Sequence, residues 1–284
     1  MSSSSAELAI GPDPALRFHR RLQPVLALRE LWRVRAVVLS LAEREVRARY
    51  KQAMLGLAWA VLTPLALMGV FTLFFQRVAR LDTSGIPYPL FAFLGLIPWA
   101  FFSTSVSHGG LSLLHNVLLL NKVYCPREVF PLAGILVAAL DAAIATVAFA
   151  GLLGIYTVAP KITALWIPVL LAVQVAFTTG CTLIVSSVIV YLRDLRHVVP
   201  IVLQLGLFAT PVAYGIDIIP ASWRGVYAVL NPLAPVIDGY RRTIVLGKAP
   251  DLELLGLGAA GALVLLVGGY VIFKKLETGF ADVA

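Results

Sequence analysis

The sequence predicts an all-α polytopic membrane protein, and its composition is the first reason. Of its 284 residues, 60% are hydrophobic and only 13% are charged, and the mean hydropathy is +0.89. A soluble domain is about half apolar and about a quarter charged, so this chain has too little polar surface for a water-facing globule. The second reason is the length of its uncharged runs, and the third is the unequal placement of Lys and Arg around them.

Six segments are long and apolar enough to cross a bilayer core, which takes roughly 20 residues of helix. The predicted spans are 57–75, 90–106, 132–156, 164–191, 198–216 and 254–273. Asp141, in the third span, is the one charged residue that lies away from the end of a span. An intramembrane acid can be functional, or it can be hydrogen-bonded between helices or face a wet cavity. A proton-coupled carrier usually needs more than one such group.

The positive charges predict the orientation of the chain. With both termini cytoplasmic, sixteen of the 23 Lys and Arg residues lie on the inner side and seven on the outer side, as the positive-inside rule requires. Ten of them precede Gly56. Because the net charge of +8 is distributed in this way, it is better explained by membrane orientation than by nucleic-acid binding.

The region before the first span divides into a tail and a helix. Residues 1–25 are polar and Ser-rich, without the apolar stretch of a signal peptide, and predict a disordered tail. Residues 26–52 predict a cytoplasmic amphipathic helix at the membrane interface, with a solvated basic helix as the alternative. Ser40 and Glu43 have capping-box spacing, so a helix is expected to start at Ser40. Residues 53–284 form the predicted six-span domain.

The stretch between the fifth and sixth spans (220–250) is apolar in two pieces. Asn231, Pro232 and Pro235 interrupt it, and neither piece is long enough to cross a bilayer. We expect two short helices that form a re-entrant hairpin on the outer side, where surrounding protein can cover the backbone. An ordinary surface loop is the alternative.

The motifs of the common enzyme classes are missing from the sequence. It contains no phosphate-binding loop, no H-E-x-x-H zinc motif and no G-x-S-x-G nucleophile motif. Cys125 and Cys181 lack the spacing of a metal site and are expected to be unpaired thiols. We therefore predict a protein without catalytic, cofactor-binding or metal-binding residues. A polytopic membrane enzyme or an ATP-independent carrier is the alternative from another functional class.

Several stretches, in the same order along the chain, resemble the ABC-2 type export permeases. They are "EVRARYKQAMLGLAWAVLTPLALMGVFTLFF", "YPLFAFLGLIPWAFFSTSVS", "LLLNKVYCPREVFPLAGIL", "LRDLRHVVPIVLQ" and "NPLAPVIDGYRRTIVLG". The resemblance is strongest to the branch that exports lipid-linked polysaccharides such as O-antigen and teichoic acids. It implies a subunit of the bacterial cytoplasmic membrane that moves a lipid-linked glycan; export of a drug or another lipid is the alternative within the class.

The resemblance also implies the partners of the chain. Such permeases are homodimers, and two copies of a separate cytoplasmic ATPase bind ATP and Mg²⁺ for them. Two short inner loops carry charges that can pair with an ATPase surface. The first inner loop, 120–131, lies between the second and third spans, and the second, 191–200, between the fourth and fifth. Pro126 and Pro131 stiffen the first loop. The predicted ATPase-coupling residues are Lys122, Arg127, Glu128, Arg193, Asp194 and Arg196. The alternative is that these charges only end the spans and anchor them at the headgroups.

Aromatic residues are concentrated in the first two predicted spans. Phe71, Phe74 and Phe75 have the i, i+3, i+4 spacing of a single helix face, and aromatic rings suit the C–H faces of sugars. The predicted substrate path therefore consists of Phe71, Phe74, Phe75, Phe91, Trp99 and Phe102. The alternative is that these rings are ordinary packing or lipid contacts.

Overall fold

The computed structural model describes residues 33–51, 56–78, 83, 85–116, 125–159 and 161–280. Within these residues the regular structure is entirely helical. The ten α-helices are α1 Arg35–Tyr50, α2 Trp59–Phe71, α3 Tyr88–Thr104, α4 Gly110–His115, α5 Val129–Ile155, α6 Ile167–Tyr191, α7 Leu195–Ala209, α8 Ala221–Leu230, α9 Leu233–Arg241 and α10 Leu252–Leu276. The predicted all-α membrane fold is confirmed, while the predicted tail, 1–25, lies outside the described residues.

Four helical segments of the described chain are long and apolar enough to cross a membrane: Tyr88–His115, Val129–Ile155, Ile162–Tyr191 and Leu252–Gly279. They correspond to the second, third, fourth and sixth predicted spans. The first and fifth correspond to shorter apolar helices, Trp59–Phe75 and Leu195–Ala209. The count of six spans therefore stays a prediction.

The fifth predicted span ends earlier than its apolar run suggests. The expected end was residue 216, but α7 ends at Ala209 and Thr210 has extended backbone angles, φ −90° and ψ 142°. The reason is Pro211, because the ring of a proline disfavours helical angles in the residue before it. From there the chain runs irregularly to the hairpin.

Helix α1 lies within the predicted interval 26–52, but the capping-box residue does not mark its start. It starts at Arg35, so Ser40 lies inside the helix and makes no capping bond, and the expected start at Ser40 is wrong. The physical reason is packing: Val38 and Ala42 are buried against Val129 and Ala133 of α5, which stabilises helix on both sides of Ser40. Helix α1 thus lies along the first half of α5.

The largest helix contact of the described chain is between α6 and α10. At the crossing, a Cβ built on Gly269 would lie 2.5 Å from the Gly180 carbonyl oxygen. Only glycine fits so close an approach, and small residues are the usual means by which membrane helices pack. Helix α3 lies at the centre of the main core, with most of its residues buried.

The predicted pair of short helices before the last span is confirmed. Helices α8 and α9 are separated by Asn231 and Pro232, and α9 is buried over nearly its whole length. A Cβ built on Gly261 of α10 would lie 2.2 Å from the Val229 carbonyl oxygen. Helix α9 is therefore packed into the body of the protein, whereas α8 contacts α10 and is largely exposed on its other side, and the pair is not an ordinary surface loop.

Candidate functional site

Asp141 is hydrogen-bonded between two helices. Its carboxylate accepts a bond from Arg49 at 2.8 Å and one from the Tyr50 hydroxyl at 2.5 Å. Asp141 lies twelve residues into α5, about 18 Å from the start of that helix, and it is 92 residues away from Arg49 in sequence. The carboxylate thus ties the end of α1 to the middle of a span.

A cavity of about 320 Å³ adjoins this ion pair. Arg49, Tyr50 and Asp141 form its polar side, and Trp59 and Phe101 are among its apolar lining. Asp141 is thus both hydrogen-bonded between helices and adjacent to a cavity, as the structural alternative predicts. A separate functional role for Asp141 stays a hypothesis.

Further polar groups of α1 face the end of α4. Arg44 donates a hydrogen bond to the side-chain oxygen of Asn116, and Asn116 is itself buried. Burial raises the pKa of Glu45, an effect that Arg44 and Arg49 partly oppose. Helix α1 is therefore attached to the body at two places, beside α4 and beside α5.

The described end of the first predicted inner loop, with Arg127 and Glu128, directs its charges toward the C-terminal end of the protein. Glu128 is buried and forms an ion pair with Lys274 of α10, and Lys274 also contacts Glu277 at 2.9 Å. Arg127 donates a hydrogen bond to the Glu277 carbonyl. These two predicted coupling residues thus hold another part of the same chain.

The end of α6 contacts the same C-terminal segment, residues 274–280, which we call the C-terminal turn. The Tyr191 hydroxyl donates to the Leu276 carbonyl at 2.8 Å, and its ring lies 6.1 Å from that of Phe280. Phe280 is almost completely buried, edge to face with Phe273. The C-terminal turn therefore lies between the first inner loop and the start of the second.

The second inner loop presents its charges to the surroundings. The three predicted coupling residues there, Arg193, Asp194 and Arg196, are exposed. Arg196 donates a hydrogen bond to the His197 ring at 3.1 Å. Lys122, the sixth predicted coupling residue, lies outside the described residues. The predicted coupling residues therefore do not form one surface in the described chain. Arg127 and Glu128 contact the protein body, whereas the charges of the second loop are exposed.

The predicted path residues are also divided by the structure. In the first group, Phe71 is buried and lies edge to face with Phe75, at 5.6 Å between ring centres. Phe74 contacts Phe75 in the same way but is 56% exposed. Of the three rings that the spacing places on one helix face, Phe74 is thus exposed and Phe71 is buried.

The other three predicted path residues, on α3, lie in the core. Phe102 stacks on Phe177 at 5.0 Å, and the Trp99 ring packs against Gly206 of α7. Phe91 lies beneath the guanidinium of Arg241. In this subunit these rings serve as packing, and any contact with a transported molecule stays a prediction.

Arg241, at the end of α9, is a structural centre that the sequence reasoning missed. It is fully buried and donates hydrogen bonds to the carbonyls of Phe91, Pro211, Val212 and Tyr214, at 2.6–3.2 Å. The Ala213 carbonyl between them accepts from the Tyr88 hydroxyl. The irregular backbone after α7 therefore has its buried carbonyls satisfied by side chains, as a buried loop requires.

The available signal for Arg241 was weak. In the sequence, Arg241 and Arg242 are two of the seven positive charges on the predicted outer side, and Lys274 is one of the sixteen on the predicted inner side. Their partners are far away in sequence, 150 residues between Arg241 and Phe91. No local spacing indicates such contacts.

The described part of the chain shows no group of three or more His, Cys, Asp or Glu residues that could hold a metal ion. Cys125 and Cys181 are free thiols. Six of the ten acidic residues in the described chain form ion pairs with Arg or Lys, among them Asp141 and Glu128. The arrangement is suited to holding helices and loops in position.

Comparison with known proteins gives one family and several full-length relatives. The family model described as "ABC-2 type transporter" matches residues 36–245. The O-antigen export system permease protein RfbA of Myxococcus xanthus is 35% identical over 258 residues, which are 90% of this chain and 98% of that protein. An RfbA of Klebsiella pneumoniae is 30% identical over 87% of this chain and 94% of its own. The polysialic acid transport protein KpsM of Escherichia coli is 26% identical, over 86% and 94%.

Proposed function

The chain belongs to the ABC-2 type transporter family, and on that premise we propose that it is the membrane permease of an ATP-driven exporter of a lipid-linked polysaccharide. The main support for this proposal is the 35% identity to a named O-antigen export permease over 98% of that protein. The other relatives are named for export of O-antigen or transport of polysialic acid. These names favour a glycan over a drug as the substrate.

The energy source in this proposal is a separate ATPase chain. The sequence has no phosphate-binding loop, so ATP and Mg²⁺ would be bound by the partner, in two copies. The exposed charges of the second inner loop, Arg193, Asp194 and Arg196, suit a docking contact with that partner. The contacts of Arg127 and Glu128 with the C-terminal turn support an indirect role for the first loop.

We infer that the permease works as a homodimer, and α7 supplies the argument. None of its side chains is buried, although the helix is apolar. The stripe Val198, Ile201, Val202, Leu205 and Phe208 is exposed on one face, with helical spacing. A second copy of this chain could cover this face, and a polymer path would then lie between the two subunits.

Within such a path, Phe74 is the predicted aromatic residue with the most accessible ring. It is exposed on the segment that continues α2, whereas Phe71, Phe91, Trp99 and Phe102 are buried. We therefore propose Phe74, supported by Phe75 and Phe71 behind it, as the aromatic contact for the glycan. Apolar stacking suits a polymer that must slide without being held by charges.

The proposed location is the bacterial cytoplasmic membrane with both termini inside. The placement of Lys and Arg supports this orientation. In this orientation the two inner loops face the ATPase and the α8–α9 hairpin lies on the outer side. Export would run from the loop side to the hairpin side.

The function is tested by deleting the gene in its host and measuring envelope polysaccharide separately at the surface and inside the cell. We expect the surface polymer to be lost, its lipid-linked form to accumulate inside, and a plasmid copy to reverse both effects. A deletion that inactivates only the polymer-synthesis machinery is the control, because it removes surface polymer without internal accumulation. Unchanged surface polymer would contradict the proposal, and so would accumulation of a compound without sugar.

A further inference from the structure

The C-terminal turn contacts the first inner loop and the end of α6, the helix that leads into the second inner loop, and the two sets of contacts are different in kind. The contact with the first loop is electrostatic: Glu128 pairs with Lys274, and Arg127 donates to the Glu277 carbonyl. The contact with the end of α6 is a hydrogen bond and aromatic packing: Tyr191 with the Leu276 carbonyl and with Phe280. One short segment thereby holds the end of the first loop beside the helix that leads into the second.

Because Glu128 and Phe280 are buried, the loss of a contact partner here is expected to destabilise the protein. Glu128 is 3% exposed, and one of its carboxylate oxygens has no hydrogen-bond partner in the described chain. A buried carboxylate is costly unless it is paired, so Lys274 is needed where it lies. Phe273 and Phe280 are also buried, in a cluster with Phe130 and Val190. The turn is therefore packed into the body on both sides.

The packing is also tight at the point where the turn meets α6. A Cβ built on Gly279 would lie 2.3 Å from the Tyr191 hydroxyl oxygen, so a side chain at this position would displace the tyrosine. The Arg127 guanidinium lies 5.6 Å from the centre of the Phe280 ring. Phe280 therefore lies between the charge of the first loop and the ring beside the second.

We propose that the C-terminal turn joins the described end of the first inner loop, residues 125–128, to the end of α6 as one rigid unit, and that Glu128 and Lys274 are positioning residues for coupling to the ATPase. This inference rests on the proposed function, because it assigns to the turn a role in transmitting ATPase motion. The exposed charges of the second loop receive the motion of the ATPase. Tyr191, the turn and the Glu128–Lys274 pair carry it to the start of α5 and the end of α10.

The first arm of the test compares Glu128→Gln, Lys274→Met and the double variant in the complete complex with its ATPase. Polymer exported per ATP hydrolysed should fall about tenfold in each single variant. The double variant should be no worse than the single ones, since the pair acts as a unit. Basal ATP hydrolysis per folded complex should stay near that of the unmodified complex. The thermal midpoint should fall in the single variants, most in Lys274→Met, which leaves the buried Glu128 carboxylate unpaired, so export is expressed per folded complex.

Controls separate coupling from folding. Asp217→Asn removes the 3.7 Å pair with Arg224, in which the Asp217 side chain is 78% exposed. The pair lies beside the α8–α9 hairpin and makes no contact with the C-terminal turn in the described chain, so export per ATP should be unchanged. Glu128→Asp and Lys274→Arg keep the charges and should restore part of the coupling. If the single variants export normally per ATP, or lose export only in proportion to the loss of folded complex, the inference is overturned.

The second arm measures the loop-to-loop distance without any transport substrate. Spin labels are placed on native Cys125 and on Leu192→Cys, with Cys181→Ala, and labelled chains are diluted with unlabelled ones. Burial raises the pKa of the Cys125 thiol, so labelling is done at mildly alkaline pH. The distance should be the same with and without trapped ATP, and should broaden in Lys274→Met.

A distance in the unmodified pair that shifts when ATP is trapped would show that the loops move separately, and would overturn the inference. This arm needs only the ATPase complex, whereas the proposed substrate is tested by the deletion experiment. Failure to export a glycan would therefore reject the proposed function and leave the loop measurement valid.

Discussion

The guanidinium carbon of Arg241 lies 3.5 Å from the centre of the Phe91 ring, and the Arg241 Nε donates to the carbonyl of the same phenylalanine at 3.2 Å. Two contacts with one residue join the α8–α9 hairpin to α3. The other donors of Arg241 hold the carbonyls of Pro211, Val212 and Tyr214 after α7. One side chain therefore fixes the relative positions of α3, α7 and α9.

The first prediction concerns this arginine. Arg241→Met should lower the free energy of unfolding by more than ~3 kcal/mol, because several buried carbonyls lose their donor at about 1–3 kcal/mol each. Arg241→Lys should give an intermediate loss, since an ammonium cannot match the fork of a guanidinium. The thermal midpoint of the purified protein measures both.

The neighbouring arginine provides the control for this prediction. Arg242 pairs with Asp238 at 3.1 Å and is partly exposed, so Arg242→Lys should shift the midpoint far less. Equal midpoints for Arg241→Met and Arg242→Lys would mean that the carbonyl contacts of Arg241 contribute little.

The second prediction concerns the attachment of α1. Asp141→Asn and Arg49→Met should each destabilise the protein by about 1–3 kcal/mol, because each leaves a partly buried group without its charged partner. Removing both should cost less than the sum of the single losses. A double-mutant cycle of thermal or denaturant unfolding in detergent measures the coupling.

An ion pair on the same helix serves as the control. Glu43 and Arg47 are paired but 61% and 73% exposed, so breaking this pair should cost within about 0.5 kcal/mol. Strictly additive losses for Arg49→Met and Asp141→Asn would contradict the contact.

The third prediction follows from the side of α1 that is buried. Val38 and Ala42 pack against α5, whereas Val37 and Leu39 are exposed. Single cysteines at these four positions should therefore react with a water-soluble maleimide at rates that follow the helical period, slow at 38 and 42. Uniformly fast labelling would mean that α1 is detached from the body.

These three predictions also mark what the sequence could and could not provide. The helical class, the hairpin and the exposed loop charges follow from local features: apolar length, Pro and Asn breaks, and charges between spans. The start of α1 was wrong because Ser40 has capping spacing, while tertiary packing of Val38 and Ala42 extends the helix past it. Local propensity is overridden by burial in such cases.

The contacts of Arg127 and Glu128 with the C-terminal turn could not be predicted from the sequence near these residues. The loop containing them is short and charged, which suggests a surface that faces a partner. Their contacts, Lys274 and Glu277, lie about 150 residues further along the chain. Such contacts depend on the packing of α10 against α6, which no spacing within the loop encodes.

The fourth prediction tests the second inner loop as an ATPase contact. Asp194→Lys reverses one exposed charge and should lower polymer-stimulated ATP hydrolysis several-fold without preventing membrane insertion. The expected cause is repulsion from a surface that pairs with the carboxylate. Hydrolysis is measured in the purified complex, and Asp194→Glu is the matched control. Normal stimulation in Asp194→Lys would place the contact elsewhere.

The fifth prediction tests the aromatic path. Phe74→Leu removes an exposed ring and keeps its apolar character, and should lower polymer export while complex assembly and basal ATP hydrolysis survive. Replacing Phe71, Phe74 and Phe75 together by Leu should lower export further. Phe177→Leu removes a core ring stacked on Phe102 and should affect stability more than export. Wild-type export in the triple variant would assign these rings to packing or lipid contact.

The central claim is tested most directly by transport in a purified system. The permease and its ATPase are reconstituted into vesicles together with a lipid-linked polysaccharide, and the fraction of polymer protected from an added glycosidase is followed after ATP is supplied. We predict that transfer across the bilayer requires both ATP and the permease, and that it stops when the ATPase cannot hydrolyse ATP. Polymer that stays on its original side while the ATPase is active, or that crosses equally well without ATP, would contradict the account.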